Sequence, residues 1–379
     1  MSFRLMRLIF EAGLGLHFFL RLRLAFGGGW WQLPVLLILG VYLSPRVPYL
    51  RAWLPSQALD YILLFTPYIT GFLICFTMLA IFFDLLRLLT MLFSAIAKAD
   101  FSWGKIFAAK RLVPVTLILS AALFGYGYYE AYHPRLVHIS LASKKLPPGV
   151  ERLRIVQLSD VHLSHFLGYR ELEKIVELAQ SAQPDILTVT GDLVDSDMSG
   201  RSAEADLLST IKAPYGAFGV LGNHELYVGA NNSIAFYKRA GLTLLRGEAK
   251  VSGGLVIAGV DDEAFRESGN RKSALQLLRD YKDDPRFVLF LKHRPQLAPG
   301  TAGLFDLQLS GHTHGGQIWP AHYLVGRANG VVNGLHKAEA SRGWVYTSRG
   351  AGFWGLPMRL LAPPEVAVID LVNENSTKN

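Results

Sequence analysis

Asp185-Ile-Leu-Thr-Val-Thr-Gly-Asp-Leu-Val-Asp195 decides the fold of this chain. A β-rich run, Asp185 to Thr190, ends in Gly191 and Asp192, with Asp195 three residues on. Upstream, Leu153-Arg-Ile-Val-Gln-Leu158 reads as a second strand and ends in Ser159-Asp160-Val161-His162. Between them Tyr169 to Ala182 places Leu172, Ile175, Val176, Leu178 and Ala179 near helical spacing, and Pro184-Asp185 stops it. A strand, a helix and a strand in that order imply adjacent parallel strands.

The pattern continues downstream. Gly219-Val-Leu221 leads into Gly222-Asn223-His224-Glu225, and Arg286-Phe-Val-Leu-Phe-Leu291 into Lys292-His293-Arg294-Pro295. Leu307-Gln-Leu309 leads into Gly311-His312-Thr313-His314-Gly315-Gly316-Gln317. Five strand-like runs thus each end in a metal-capable residue. In α/β sheets, sites form in the crevice at the carboxyl ends of strands. Carboxylates, imidazoles and one amide form a mixed nitrogen and oxygen donor set suited to Mn, Fe, Zn, Co or Ni. Two such ions need a shared ligand, which a carboxylate can be, and a pair about 3.5–4 Å apart can polarise a phosphoryl group.

Asp160-x-His162, Gly191-Asp192-x-x-Asp195, Gly222-Asn223-His224-Glu225, His293 and Gly311-His312-x-His314 resemble, in order, the motifs of the calcineurin-like metallophosphoesterase superfamily. The extension through Gln317, with Ser348-Arg-Gly-Ala-Gly-Phe-Trp-Gly-Leu-Pro-Met-Arg359 and Pro364-Glu365-Val366, is similar to its membrane-associated bacterial branch, the YkuE/YaeI-like phosphoesterases. The resemblance covers about residues 150–372 and implies a four-layer αββα sandwich. It implies two divalent metal ions, manganese foremost. Asp160, His162 and His314 would hold the first, and Asn223, His293 and His312 the second, with Asp192 bridging. The nucleophile would be the bridging hydroxide. His224 would protonate the leaving-group oxygen or stabilise phosphoryl charge, oriented by Asp195 or Glu225. The flanks of His293, Lys292 and Arg294, depart from the small or polar neighbours common at this position.

Other residues carry a bland reading beside a functional one. Gly-Asp and Gly-Asn are turn dipeptides, a reading that the family spacing overrides at Asp192 and Asn223. His165 reads as a solvated loop residue, and His322 and His336 as surface residues. Arg349 and Arg359 would contact a phosphate or simply ion-pair. Trp319, Phe353 and Trp354 pack locally or form an apolar rim touching lipid or a lipid-linked substrate.

Charge divides the chain. Residues 1–149 hold 14 Lys and Arg against 5 acids, and residues 150–379 hold 24 against 25. The basicity therefore flanks apolar N-terminal segments, and no nucleic-acid partner is expected. Mean hydropathy is +0.26, high for a purely soluble enzyme. Tyr61 to Phe83 and Leu112 to Tyr129 are free of charge and long enough to cross a hydrocarbon core of about 30 Å. Trp30 to Leu43 is shorter and extends toward Leu50 past Arg46. The first 26 residues form a span or an interfacial helix. Asp84 and Arg87 are spaced to pair on one helix face. The lone cysteine, Cys75, excludes an internal disulfide and a cysteine zinc site.

The expected organisation is a membrane domain of about four helices over 1–132, a linker over 133–150, a phosphoesterase domain over 151–372 and a disordered tail over 373–379. The chain would sit as a multi-pass protein in a bacterial inner membrane. The Lys98 to Arg111 cluster weakly favours an extracytoplasmic catalytic domain. The expected activity is hydrolysis of a phosphoester or pyrophosphate bond, of a lipid-linked or phospholipid substrate. A UDP-2,3-diacylglucosamine-type pyrophosphatase and a non-catalytic membrane scaffold are the alternatives.

Overall fold

The computed structural model describes residues 3–44, 55–98, 107–265, 272–338 and 343–374. It divides into two compact units: Met1–Tyr128 with Gly355–Met358, and Tyr129–Trp354 with Arg359–Asn379.

The first unit is helical. Helices cover Phe3–Phe26, Gln32–Leu43, Ser56–Ala97 and Ala109–Ala131. Of the four expected spans, Ser56–Ala97 and Ala109–Ala131 are long and apolar enough to cross a membrane. Gln32–Leu43 has only 12 residues. Arg46, and Lys105 of the cluster used above for orientation, lie outside the described residues. The helix Ser56–Ala97 has 42 residues, roughly 63 Å at 1.5 Å each, about twice a hydrocarbon core. It runs unbroken through Asp84 and Arg87. Those two were expected to pair, but Asp84 is instead held by Arg21 of the first helix, with Nη1 3.0 Å from Oδ1. Arg21 also donates to His17 Nε2 at 3.1 Å, and His17 Nδ1 lies 3.2 Å from Thr77 Oγ1. A tertiary partner thus displaces the local one. Leu37, Phe82, Leu89 and Ile96 are exposed, an apolar surface better suited to hydrocarbon than to water.

The second unit holds twelve described strands: β1 Arg135–Ser143, β2 Arg152–Leu158, β3 Ile186–Thr190, β4 Ala217–Val220, β5 Thr243–Leu244, β6 Glu248–Ser252, β7 Leu255–Val260, β8 Val288–Lys292, β9 Leu307–Ser310, β10 Gly334–Lys337, β11 Trp344–Thr347 and β12 Glu365–Asn373. They form two six-stranded sheets, ordered β1-β12-β2-β3-β4-β5 and β10-β11-β9-β8-β7-β6. As the β-α-β reading required, β2, β3 and β4 are parallel neighbours.

Strand alternation sets the layers. On β2, Leu153 and Ile155 enter a core shared with Ile257, Leu289 and Leu309 of the other sheet. Val156 and Leu158 face the other way, against Leu172, Ile175 and Ala179 of the helix Tyr169–Ser181. On the second sheet, Val256, Val288 and Phe290 pack with Leu277 and Leu278 of the helix Ala274–Arg279. The result is the expected αββα sandwich.

Two organisational expectations change. The span 133–150 is not a linker: β1 pairs in parallel with β12 along nine residues, Arg135↔Glu365 to Ser143↔Asn373. Pro134, Pro147 and Pro148 bracket an apolar alternation and mask it. At the other end, Asn373 closes β12, and residues 375–379 lie outside the described residues.

Candidate metal centre

The five loops converge because the strands that carry them are neighbours. Backbone bonds lock them in pairs: Asp160 N to Gly191 O at 3.0 Å, His162 N to Asp192 O at 3.0 Å, and Gly311 N to His293 O at 2.8 Å. Asp160, His162, Asp192, His312 and His314 all have φ between 50° and 72°. Left-handed backbone at so many non-glycine residues is strain that surrounding contacts must hold, a pattern concentrated at functional sites.

Asp160, His162 and His314 each offer a donor atom within 4.8 Å of the others, and so do Asp192, His293 and His312. In the first group His162 Nε2 lies 3.0 Å from His314 Nε2, and His314 Nε2 3.5 Å from Asp160 Oδ1. In the second, His293 Nε2 lies 3.1 Å from Asp192 Oδ2 and 3.2 Å from His312 Nδ1. Asp192 Oδ2 also stands 3.9 Å from His162 Nε2, so one carboxylate faces both groups. Asn223 Oδ1 is buried without a hydrogen-bond partner. Its neighbour His224 donates its backbone N–H to Asp192 Oδ1 at 2.9 Å, and a buried acceptor left bare beside such a donor set fits a cation.

Supporting contacts aim these donors. His293 Nδ1 lies 2.8 Å from Thr190 O, which leaves Nε2 for the site. Asp160 receives Ser159 Oγ at 2.5 Å and His312 N at 3.0 Å. Two glycines make room. A Cβ at Gly311 would stand 2.0 Å from Asp160 Oδ2, and one at Gly222 would stand 2.2 Å from Asp192 Oδ1.

His224 has a separate setting. Its Nδ1 lies 2.6 Å from Asp195 Oδ1, and its Nε2 4.0 Å from Asp192 Oδ2. It can also be grouped with His162 and Asp192 as a metal donor. Of the two carboxylates considered for orienting it, Asp195 makes the contact. Glu225 does something else: buried, it accepts from the backbone N–H of Asp192, Leu193, Val194 and Gly222 at 2.7–3.2 Å. It ties two ligand loops together.

Electrostatics divide the imidazoles. Burial pushes His162 down to about 4 and His312 down to about 3, so both stay neutral, the form that can coordinate a metal. Burial also disfavours charge on His293, but Asp192 overrides this and holds it well above its ordinary value, with Asp192 correspondingly low. His224 is raised: burial opposes this, and the Asp195 bond together with Asp192 outweighs it.

The remaining expected residues are placed as follows. Arg349 Nε lies 2.6 Å from Glu365 Oε2. Arg359 is fully buried and cannot reach solvent or substrate. Its Nη1 donates to His314 O at 2.7 Å, and its Nη2 lies 3.1 Å from His314 Nδ1, so it props a ligand loop. Phe353 is buried against Tyr132, which removes it from the expected rim. Trp319 and Trp354 are each 44 % exposed. Trp354 sits edge-on to His224 at 5.7 Å, and Tyr227 does so at 5.3 Å. His165 is exposed, as expected of a loop residue. A cavity of about 540 Å³ lies beside the centre rather than over it; Arg246, Asp262, Phe265 and Lys292 are among its walls.

The fold and the converging donors define a metal-dependent phosphoesterase, a hydrolase. The chain belongs to the calcineurin-like phosphoesterase family, whose model matches residues 153–316. An uncharacterized metallophosphoesterase of Aquifex aeolicus is 36% identical over 67% of this chain and 98% of its own length. The metallophosphoesterase YkuE of Bacillus subtilis is 30% identical over 66% of this chain and 91% of its own. A transmembrane protein with metallophosphoesterase domain from Danio rerio is 30% identical, over 69% of this chain and 63% of its own.

Proposed function

We propose that this chain is a membrane-anchored dinuclear phosphohydrolase that cleaves a phosphoester or pyrophosphate bond of a lipid-linked substrate. The observation that carries the reading is Asp192, one buried carboxylate facing two ligand groups. Asp160, His162 and His314 would hold one divalent ion, and Asn223, His293 and His312 the other, with Asp192 available to both. Manganese is the first choice for this mixed donor set, ahead of iron, zinc, cobalt or nickel. When bound, the two ions supply Lewis acidity toward the phosphoryl group and make a water acidic enough to serve as nucleophile.

The chain's own residues do the rest. His224, protonated and oriented by Asp195, delivers a proton to the leaving-group oxygen. Glu225 and Arg359 keep the ligand loops in register. The lipid assignment is supported by the apolar helices and by Trp354 and Tyr227 flanking His224 with exposed rings. Such rings suit acyl chains at a membrane interface.

The test is hydrolysis by the purified, manganese-loaded chain of phosphomonoesters, diesters, nucleotide-linked lipids and phospholipids in vesicles. The expected result is turnover, with vesicle substrates preferred. Absence of turnover on every substrate, with two ions bound, would overturn the reading.

A further inference from the structure

Arg294 is, with Lys292, one of the two charged flanks of His293, and the mechanism above does not use it. It follows His293 directly, at the end of β8. Its side chain is 32% exposed, whereas Asp262, its partner, is fully buried. Arg294 Nε donates to Asp262 Oδ2 at 2.7 Å, and Nη2 donates to Asp262 Oδ1 at 3.3 Å. Asp262 is itself fixed by its backbone N–H, which donates to Leu221 O at 2.9 Å, one residue before Gly222. Lys292 fixes the other side: its buried ammonium donates to Arg294 O and Gln296 O. The guanidinium is therefore held in place before any ligand arrives. Asp262 occupies one edge of the planar fork and leaves the Nη1 edge. Among the described residues no other hydrogen bond to the guanidinium is present.

Its surroundings place it beside the second ligand group. It is bonded through the chain to His293, and Asp262, which holds its guanidinium, is bonded to Leu221 O, two residues before Asn223. Asp262 and Glu263 are the acidic groups that act on it. His293, the neighbouring candidate metal ligand, is fully buried, and this partly exposed cation stands one residue from it.

We propose that Arg294, oriented by Asp262, is an anion subsite on the second-ion side of the centre. It takes the non-reacting phosphoryl group of a substrate with two linked phosphates. A preset planar fork matches phosphate oxygens, which a flexible ammonium would not do as selectively. The inference rests on the phosphohydrolase reading and narrows its substrate to the pyrophosphate class.

The experiment titrates the two-ion protein with methylenediphosphonate, whose bridging carbon resists hydrolysis, and with orthophosphate. Metal analysis first establishes two ions in each variant. Arg294→Gln should weaken methylenediphosphonate at least tenfold and orthophosphate less than threefold, and Arg294→Lys should recover part of the loss. Arg294→Gln leaves Asp262 buried without its cation, so the double variant Arg294→Gln/Asp262→Asn is measured beside it and should show the same selective loss. Equal weakening of both anions would mean that Arg294 serves the reacting phosphoryl or only the loop, and would overturn the proposal. So would unchanged binding of both. Wild-type protein that turns over monoesters but binds methylenediphosphonate no better than orthophosphate would sink this inference and leave the phosphohydrolase reading standing. Wild-type protein with two ions, no turnover and no anion binding would sink both.

Discussion

Asp195 Oδ1 lies 2.6 Å from His224 Nδ1, and this contact separates His224 from the six other ring and carboxylate donors around it. It raises the imidazole above its ordinary value although burial alone would lower it. The protonated form therefore persists above the usual pH of about 6.5. His224→Ala is expected to lower kcat by about 10²–10⁴ while two ions stay bound. Asp195→Asn removes a cause of the upward shift, so the alkaline limb of the kcat profile should move to lower pH. A pH–rate series on both variants checks this. An unmoved limb in Asp195→Asn would remove His224 as the acid.

The Asp192–His293 pair predicts how metal enters. In the metal-free protein His293 carries a proton near neutral pH, because its pKa is raised and Asp192 is ionised beside it. A metal ligand must be the neutral imidazole. Binding of the second ion should therefore release about one proton at pH 7, and its affinity should rise with pH across the neutral range. His162 and His312 are held below the ordinary range and add no such release. Calorimetric titration in buffers of differing ionisation enthalpy measures the proton count. Zero release would mean that His293 is already neutral and that the pair is misassigned.

Gly311 predicts a different kind of loss. A methyl there would stand 1.9 Å from Ser159 Oγ and 2.0 Å from Asp160 Oδ2, closer than any real carbon contact. Gly311→Ala must push the Asp160 carboxylate out of the first ligand group. First-ion affinity should fall by about 10–100-fold, as for other lost supports of metal ligands. Metal analysis after dialysis should then find nearer one ion than two. Retention of two ions at wild-type affinity would show that Asp160 is not needed for the first.

The same geometry explains what could be read in the chain and what could not. The ligand loops were legible because each closes a short strand of β-branched and aliphatic residues, and strand ends of one sheet meet. Glycine beside a ligand was legible as a turn, but its role as clearance for Asp160 or Asp192 needed the neighbouring strand. Glu225 sits in a readable motif, yet its four backbone donors come from Gly222 and from the loop after β3 about thirty residues earlier. Asp262 lies outside every quoted motif, and Arg359 ends one, but neither motif nor spacing names a partner. Their partners, Arg294 and His314, are 32 and 45 positions away. β1 was missed because prolines bracket it and its partner, β12, lies over two hundred residues on. The pairing of Asp84 with Arg21 was hidden for a related reason, since i, i+3 spacing advertises a local partner and says nothing of a distant one.

Trp354 supplies a test of the lipid reading that spares the loop. Gln317 holds the Trp354 backbone from both sides, donating to its carbonyl at 2.9 Å and accepting from its N–H at 3.0 Å. The indole itself is 44% exposed and stands edge-on to His224. Trp354→Ala therefore deletes the ring and keeps both backbone bonds. If the ring contacts an acyl chain, its removal costs about 1.5 kcal/mol of apolar contact, roughly tenfold in affinity. KM for a phospholipid substrate in vesicles should rise by about that factor, with kcat changed far less. The ratio of kcat/KM between vesicle substrate and soluble p-nitrophenyl phosphate should fall accordingly. A parallel fall on both substrates would instead assign Trp354 to the packing of His224, and the apolar rim would lose its claim on lipid.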